Sequence, residues 1–260
     1  MFLEKVVGTA AMWATMSCTP DQRYKLIREM ARIVNDLASL TVPSIGQLRF
    51  TSSGEISAKK IVMANGNIIG PFQTSTDYYQ SCMYLLQNQE GHGSETVITS
   101  SISSNNSNSN CEDRTMNLGI HAFKILDKHS MADGSTEGPF PLKHPDLSFQ
   151  NILVDNEFRV VAVLDWSLSR TVPAHEFGHF HTPTTLRLPF IVQENDEQVG
   201  LDREYFLTCL EEERERNCSL DLKSIFQSEY MEIASLVTAL EVGRPEATFV
   251  PRLAQLLRKS

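Results

Sequence analysis

Several things are scarce in this sequence, and each scarcity excludes a class of protein. The five cysteines, Cys18, Cys82, Cys111, Cys209 and Cys218, are odd in number and scattered, with no Cys-x-x-Cys among them. That pattern supports neither a disulfide-stapled scaffold nor a zinc knuckle, so a reducing, cytoplasmic setting is expected. Basic charge is also short: 23 Lys and Arg stand against 32 Asp and Glu, a formal net charge of −9. Nucleic-acid binding draws on clustered cations that neutralise phosphates, and no basic stripe is present, so no nucleic-acid partner is expected. No apolar run reaches the roughly 18 residues that crossing a bilayer requires, so no membrane partner is expected either. Lys5 and the run from Val6 to Met16 imitate a short signal peptide, but Glu4 offsets the charge and Gly8, Thr9 and Thr15 dilute the run. Phosphate-cradling loops are missing as well. The chain carries no Gly-x-Gly-x-x-Gly, no Gly-x-x-x-x-Gly-Lys-Ser/Thr and no Val-Ala-x-Lys, and the nearest glycine pair, Gly91-His-Gly93, lies in a polar stretch.

What is present is a chain of 260 residues with 41% hydrophobic content, enough for a real core. Met1 to Gly8 reads as a strand ending in a turn. Thr19-Pro20-Asp21 opens a helix with a capping hydroxyl, a proline at the first position and an acid in the first turn, and Leu26, Ile27, Met30, Ile33, Val34 and Leu37 carry its stripe to about Leu40. Between Pro43 and Phe72, Ile45 to Phe50, Lys60 to Met63 and Asn67 to Ile69 are β-like, with Asn65-Gly66 as a turn. Thr74 to Asn88 and Asn117 to His129 read as helices. From Gly91 to Met116 serine and asparagine dominate, which predicts a disordered insert with no packed element. Asp202 to Asn217 predicts a helix whose Glu211 to Arg216 run is a solvated face, followed by helices at Ile225 to Glu241 and Phe249 to Leu257.

The most informative stretch runs from Pro141 to Trp166. Ile152 to Val154 and Val160 to Leu164 are two short apolar β segments, and the polar turn Asp155 to Arg159 between them predicts a hairpin. Asp146 and Asn151 fall in the loop before the first strand, and Asp165 follows the second, so a tight hairpin brings all three to one edge. Phosphoryl transfer uses such a set: one carboxylate orients a nucleophilic hydroxyl, and two oxygen ligands hold magnesium against the phosphates.

His144-Pro-Asp146-Leu-Ser-Phe-Gln-Asn151, followed by an apolar strand and Leu164-Asp165-Trp166, resembles the catalytic and metal loops of the kinase-like superfamily, in its aminoglycoside phosphotransferase-like branch. Trp166 stands where protein kinases carry Phe-Gly. The resemblance implies an α+β, protein kinase-like fold over residues 1–260: a mostly helical C-terminal lobe with a catalytic β-hairpin and a small β insertion. The wording of that insertion, Ile45-Gly46-Gln-Leu48 and Gly70-Pro71-Phe72, is similar to fungal members. Leu3-Glu4 to Gly8 resembles the hinge text of the family, which implies that the N-terminal lobe lies upstream of residue 1 and is absent from this polypeptide.

By the same resemblance Asp146 is the catalytic base, Asn151 and Asp165 are the metal ligands, and His144 braces the loop. Leu153 and Leu164 floor the nucleotide half-cleft. The implied reaction is ATP- and Mg2+-dependent phosphorylation of a hydroxyl on a small molecule or another acceptor. Without an upper lobe that reaction loses phosphate positioning, so the alternative is a non-catalytic pseudokinase or truncated remnant whose exposed half-cleft is covered by a protein partner. A third reading comes from His175-Glu176-Phe177-Gly178-His179. This His-Glu-x-x-His would serve a zinc hydrolase on a helix, with Glu194 or Glu197 as a further ligand. Pro173 and Pro183 leave little room for a helix, so a histidine-rich loop is expected there.

Overall fold

The computed structural model describes residues 6–63, 66–87, 109–178, 196–217, 220–227 and 233. In chain order the elements begin with β1 (Thr9–Ala10), α1 (Ala11–Ala14) and α2 (Pro20–Ser39). Next come β2 (Thr41–Val42), β3 (Gln47–Phe50), β4 (Ile56–Lys59), β5 (Ile61–Val62) and β6 (Ile68–Ile69). Two helices, α3 (Ser75–Gln87) and α4 (Ser109–Asp133), precede β7 (Phe140–Lys143), β8 (Ile152–Val154), β9 (Val160–Val163) and β10 (Arg170–Thr171). The remaining helices are α5 (Ala174–Phe177), α6 (Asp196–Asn217) and α7 (Leu222–Gln227). The elements form two compact units. The first comprises Met1–Thr41, Pro141–Arg170 and Phe180–Ser228, the second Val42–Phe140, Thr171–His179 and Glu229–Ser260.

In the first unit, α2 starts where the sequence predicts. The Thr19 side chain accepts from the Gln22 backbone N–H at 3.3 Å and the Gln22 side chain accepts from the Thr19 N–H at 2.8 Å, a reciprocal cap with Pro20 in the first turn. Leu26, Ile27, Met30, Val34 and Leu37 are buried at helical spacing, and α2 packs along α6, whose Phe206, Leu207, Cys209 and Leu210 are buried. Helix α6 begins six residues before the expected Asp202, at Asp196; acids at 196 and 197 suit the positive end of a helix. Its charge run is not simply solvated. Glu212 pairs with Arg28 at 2.5 Å and Glu213 with Arg32 at 3.4 Å, while Asp202, nearly fully buried, pairs with Arg23.

The same unit holds a three-stranded sheet in the order β1-β8-β9. The predicted hairpin is its antiparallel pair β8–β9, with Ile152 opposite Val163 and Leu153 opposite Ala162. Its turn is closed by the Asp155 N–H on the Arg159 carbonyl at 3.0 Å, with Asp155 Oδ1 accepting from the N–H groups of Glu157 and Arg159. Strand β1 adds to the other side, Thr9 opposite Val154 and Ala10 opposite Leu153, so the N-terminal strand is centred just after Gly8. A Cβ on Gly8 would stand 2.8 Å from Val161 Cγ2, which explains the missing side chain.

In the second unit, β3 pairs with β4 and β5 with β6; β3, β5 and β6 fall in the segments that the sequence predicts as β-like, and β4 is a strand it does not. Gly46 lies so close to the Lys59 carbonyl that a Cβ would collide with it, and its N–H donates to Thr171 Oγ1 at 3.0 Å. Gly66, at φ +83°, closes the turn on the Met63 carbonyl at 2.9 Å. Helices α3 and α4 enclose a core of Tyr78, Tyr79, Cys82, Ala122, Phe123 and Leu126. The expected insert is corrected at its end: residues 109–116 are the first turns of α4, where Ser109, Glu112 and Asp113 are favourable N-terminal residues. The rest of that insert, 91–108, lies outside the described residues, as do 228–232 and 234–241 of the penultimate predicted helix and all of 249–257.

Burial separates the ion pairs energetically. Asp202→Ala leaves Arg23 without its buried partner and is expected to cost about 3 kcal/mol in denaturant unfolding. The half-exposed pair should be cheap to lose: Arg32→Ala is expected to cost less than about 1 kcal/mol. Equal costs for the two variants would overturn this assignment of the α2–α6 contact.

Candidate functional site

The loop from His144 to Asn151 joins β7 to β8, and both of its ends are held. On one side the Leu142 N–H donates to the Leu40 carbonyl at 2.9 Å, anchoring β7 just past α2. On the other, Ile152 and Val154 point into the core while Leu153 between them is half-buried, the alternation of a strand with one covered face. Within the loop the Asn151 N–H closes a turn on the Ser148 carbonyl at 2.9 Å, and Leu147 and Phe149 are buried.

Leu164, the residue before Asp165, joins the loop to the end of β9. Its N–H donates to the Asn151 carbonyl at 2.7 Å, and its carbonyl lies 2.9 Å from His144 Nε2. His144 Nδ1 in turn accepts the Asp146 N–H at 3.2 Å. One nitrogen therefore accepts and the other donates, which fixes the neutral imidazole with its proton on Nε2. Burial pushes the His144 pKa below its ordinary value of 6.5, and outweighs the Leu164 carbonyl and the Asp146 and Asp165 carboxylates, which pull it up. Both carboxylates thus lie near one imidazole. Trp166 closes the cluster, its ring edge-on to His144 at 4.9 Å and its Nε1–H donating to the Val163 carbonyl at 2.9 Å.

The predicted site residues are brought together to this extent. Asn151 Nδ2 donates to the Asp146 carbonyl at 2.9 Å and to Asp146 Oδ2 at 3.1 Å. With its nitrogen committed, Asn151 presents a side-chain oxygen that accepts no hydrogen bond from the described residues. Asp165 is exposed and sits at φ +56°, a left-handed conformation uncommon outside glycine and tolerated best by Asp and Asn. Such conformations cluster at functional sites, where the surroundings must hold them. Leu153 faces away from the core beside Ala10 and Ala162, and Leu164 is 40% exposed, so the apolar floor expected of them is open. Sequence reasoning missed Gln150, whose Nε2 donates to Asp146 Oδ2 at 3.1 Å; an exposed Gln in a loop carries no periodicity signal.

An amide oxygen and a carboxylate are hard ligands of the kind magnesium takes, and magnesium commonly uses one or two protein oxygens, with water and substrate phosphates completing its shell. Asn151 and Asp165 fit that role. No group of three or more His, Cys, Asp or Glu side chains among the described residues is arranged to hold a metal ion by itself.

The His-Glu-x-x-His segment lies in the second unit. The expected loop is a one-turn helix, α5, which ends at Phe177 with Gly178 as its cap. His175 is buried, with Nε2 3.2 Å from Ser135 Oγ and its ring 4.4 Å from that of His129. Glu176 is fully buried and accepts from the Tyr78 hydroxyl at 3.2 Å. Pro173 precedes the helix as its N-cap residue, a position where proline is tolerated; Pro183 lies outside the described residues. His179 and Glu194 lie outside the described residues, as does the side chain of Glu197.

The depressed His144 pKa has a signed consequence. The unfolded chain binds a proton near 6.5 and the folded chain only below that, so the contribution is present above 6.5 and lost as pH falls through the folded value. The denaturant midpoint is expected to fall on acidification from that point, and His144→Ala should be less stable but lose part of the slope. An unchanged pH dependence in the variant would show that His144 does not carry it.

No family model, curated protein or solved structure matches this chain.

Proposed function

We propose that the loop and hairpin from His144 to Trp166 form the phosphoryl-transfer site of an ATP- and Mg2+-dependent phosphotransferase of the kinase-like type, with a hydroxyl as acceptor. The observation that carries this reading is the double hydrogen bond of Leu164, to Asn151 and to His144, which ties the Asp146–Asn151 loop to the residue before Asp165. Asp146 Oδ2 receives two amide donors, and Oδ1 accepts none from the described residues, so that oxygen is left for the acceptor hydroxyl. In the proposed step Asp146 orients the hydroxyl and takes its proton, the oxygen bonds to the γ-phosphorus, and ADP leaves with the electrons of the broken bond. Asn151 and Asp165 would hold Mg2+, whose charge offsets that of the phosphates when it is bound. The open faces of Leu153 and Leu164 suit the flat apolar surface of a purine.

A second reading has its own support. Val161, Leu164 and Trp166 are each at least 40% exposed, an amount of open apolar surface that suits a protein partner. On this reading the unit binds without catalysing.

Thermal unfolding with Mg-ATP separates the two. At a hundredfold excess over Kd, binding is expected to raise Tm by about 5 °C, and Asp165→Ala should abolish the rise. No shift, or an equal shift in the variant, sinks the phosphotransferase reading and leaves the partner-binding one. A shift with Zn2+ alone would return the assignment to His175.

A further inference from the structure

We infer that Gln150 is a positioning residue that locks the Asp146 carboxylate in its working orientation, an inference that rests on the phosphotransferase reading. The terminal torsion of an Asp side chain is broad and roughly two-fold, so an untethered carboxylate turns readily and exchanges its oxygens. Here the side chains four and five residues after Asp146 reach the same oxygen: Gln150 Nε2 and Asn151 Nδ2 each donate to Oδ2 at 3.1 Å. Two donors on one oxygen restrict rotation of the group more than one does and leave Oδ1 without a donor among the described residues. Asn151 spends one amide hydrogen on the Asp146 carbonyl at 2.9 Å and gives Oδ2 only the other, and a single donor leaves rotation about that contact open.

The chemistry of the donor is also informative. A Lys or Arg at 150 would hold the carboxylate equally well but would place a full positive charge on a group that has to accept a proton. The neutral amide of Gln orients without neutralising. Gln150 is exposed, and an exposed hydrogen bond between side chains adds little to stability because water replaces it. The tether therefore matters for geometry: displacing a reacting group by about 1 Å can cost up to a hundredfold in rate.

The test uses hydrolysis of Mg-ATP, with water as the acceptor, on the full chain. Gln150→Met keeps the reach and removes the donor, Gln150→Glu replaces the donor by an anionic acceptor, and Asp146→Asn supplies the baseline. In Gln150→Met kcat is expected to fall about tenfold, an order set by misorientation, with KM within twofold and Tm unchanged; Gln150→Glu should fall further. A kcat for Gln150→Met within twofold of wild type overturns the inference. So does a fall in kcat accompanied by a lower Tm and a changed KM, which would mark a structural role. Wild-type hydrolysis no faster than Asp146→Asn also overturns it, and Mg-ATP binding then tells the failures apart: binding retained leaves the nucleotide-site reading standing, and binding lost removes both.

Discussion

The backbone of Leu164 is the constraint on which the candidate site turns. Leu164 continues the β8–β9 ladder one pair beyond Ile152–Val163, but the Asn151 N–H is turned to Ser148, which frees the Leu164 carbonyl for another donor. Here the N–H goes to Asn151 at 2.7 Å and the carbonyl to His144 at 2.9 Å. Each such bond is worth about 1 kcal/mol net, but the geometric effect is larger than the energetic one. Without them, Asp146 and Asn151 would ride on one loop and Asp165 on another. A histidine suits the middle of this clamp because a neutral imidazole carries an acceptor and a donor at opposite ends of a rigid ring. Burial keeps it neutral, and a second proton would cost it the Asp146 N–H.

The clamp works only if strand and loop are themselves held, and helix α2 contributes to both. Just beyond its C-terminus the Leu40 carbonyl takes the Leu142 N–H, and on its surface Glu29 Oε2 takes the Val160 N–H at 3.4 Å. Helix α2 is in turn fixed from Thr19 onward by its cap and along its length by α6, with Asp202 buried against Arg23. A chain of dependence thus runs from a capping hydroxyl through helix packing to a hydrogen bond at the edge of the hairpin. Apart from the buried Arg23–Asp202 pair, each of these links is weak alone. Loss of the Arg23–Asp202 pair acts at the far end of it, by loosening the helix that positions the strand.

How much of this was legible in the sequence follows from how local each feature is. The α2 cap needs only residues 19–22, and the hairpin only the alternation of Ile152 to Val154, a polar turn and the apolar Val160 to Val163; both formed as read. The pairing of Asp146 with Asn151 in the loop before β8 was legible as loop placement. What was not legible depends on residues distant in sequence or on single rotamers. The pairing of Thr9–Ala10 with β8 joins segments more than 140 residues apart, and no local pattern announces it. The start of α4 was hidden because serine and asparagine dominate up to residue 110, so composition masked the acids that follow. The pairing of Glu212 and Glu213 with arginines of α2 could not be seen in a charge run taken alone. Gln150 was invisible for a simpler reason: its role lies in where one amide points.

Trp166 shows why a tryptophan suits the position after Asp165. Strand β9 is the open edge of its sheet, and the outward backbone groups of an edge strand invite pairing with another chain. Two of those groups are taken by side chains: the Val160 N–H by Glu29, and the Val163 carbonyl by Trp166 Nε1. A phenylalanine could supply the ring contact with His144 but has no donor for that carbonyl, and a tyrosine carries its donor at the wrong end of the ring. Indole provides both at once, an apolar face edge-on to the imidazole and an N–H directed back at the strand. The same side chain therefore packs against the His144 ring and blunts the edge of β9. With Asp165 left-handed between Leu164 and Trp166, its side chain is the most exposed among Asp146, Asn151 and Asp165, and neither carboxylate oxygen accepts from a described residue. Asp is among the side chains that tolerate a left-handed backbone best, and at this position it leaves the carboxylate exposed to solvent beside the His144 loop.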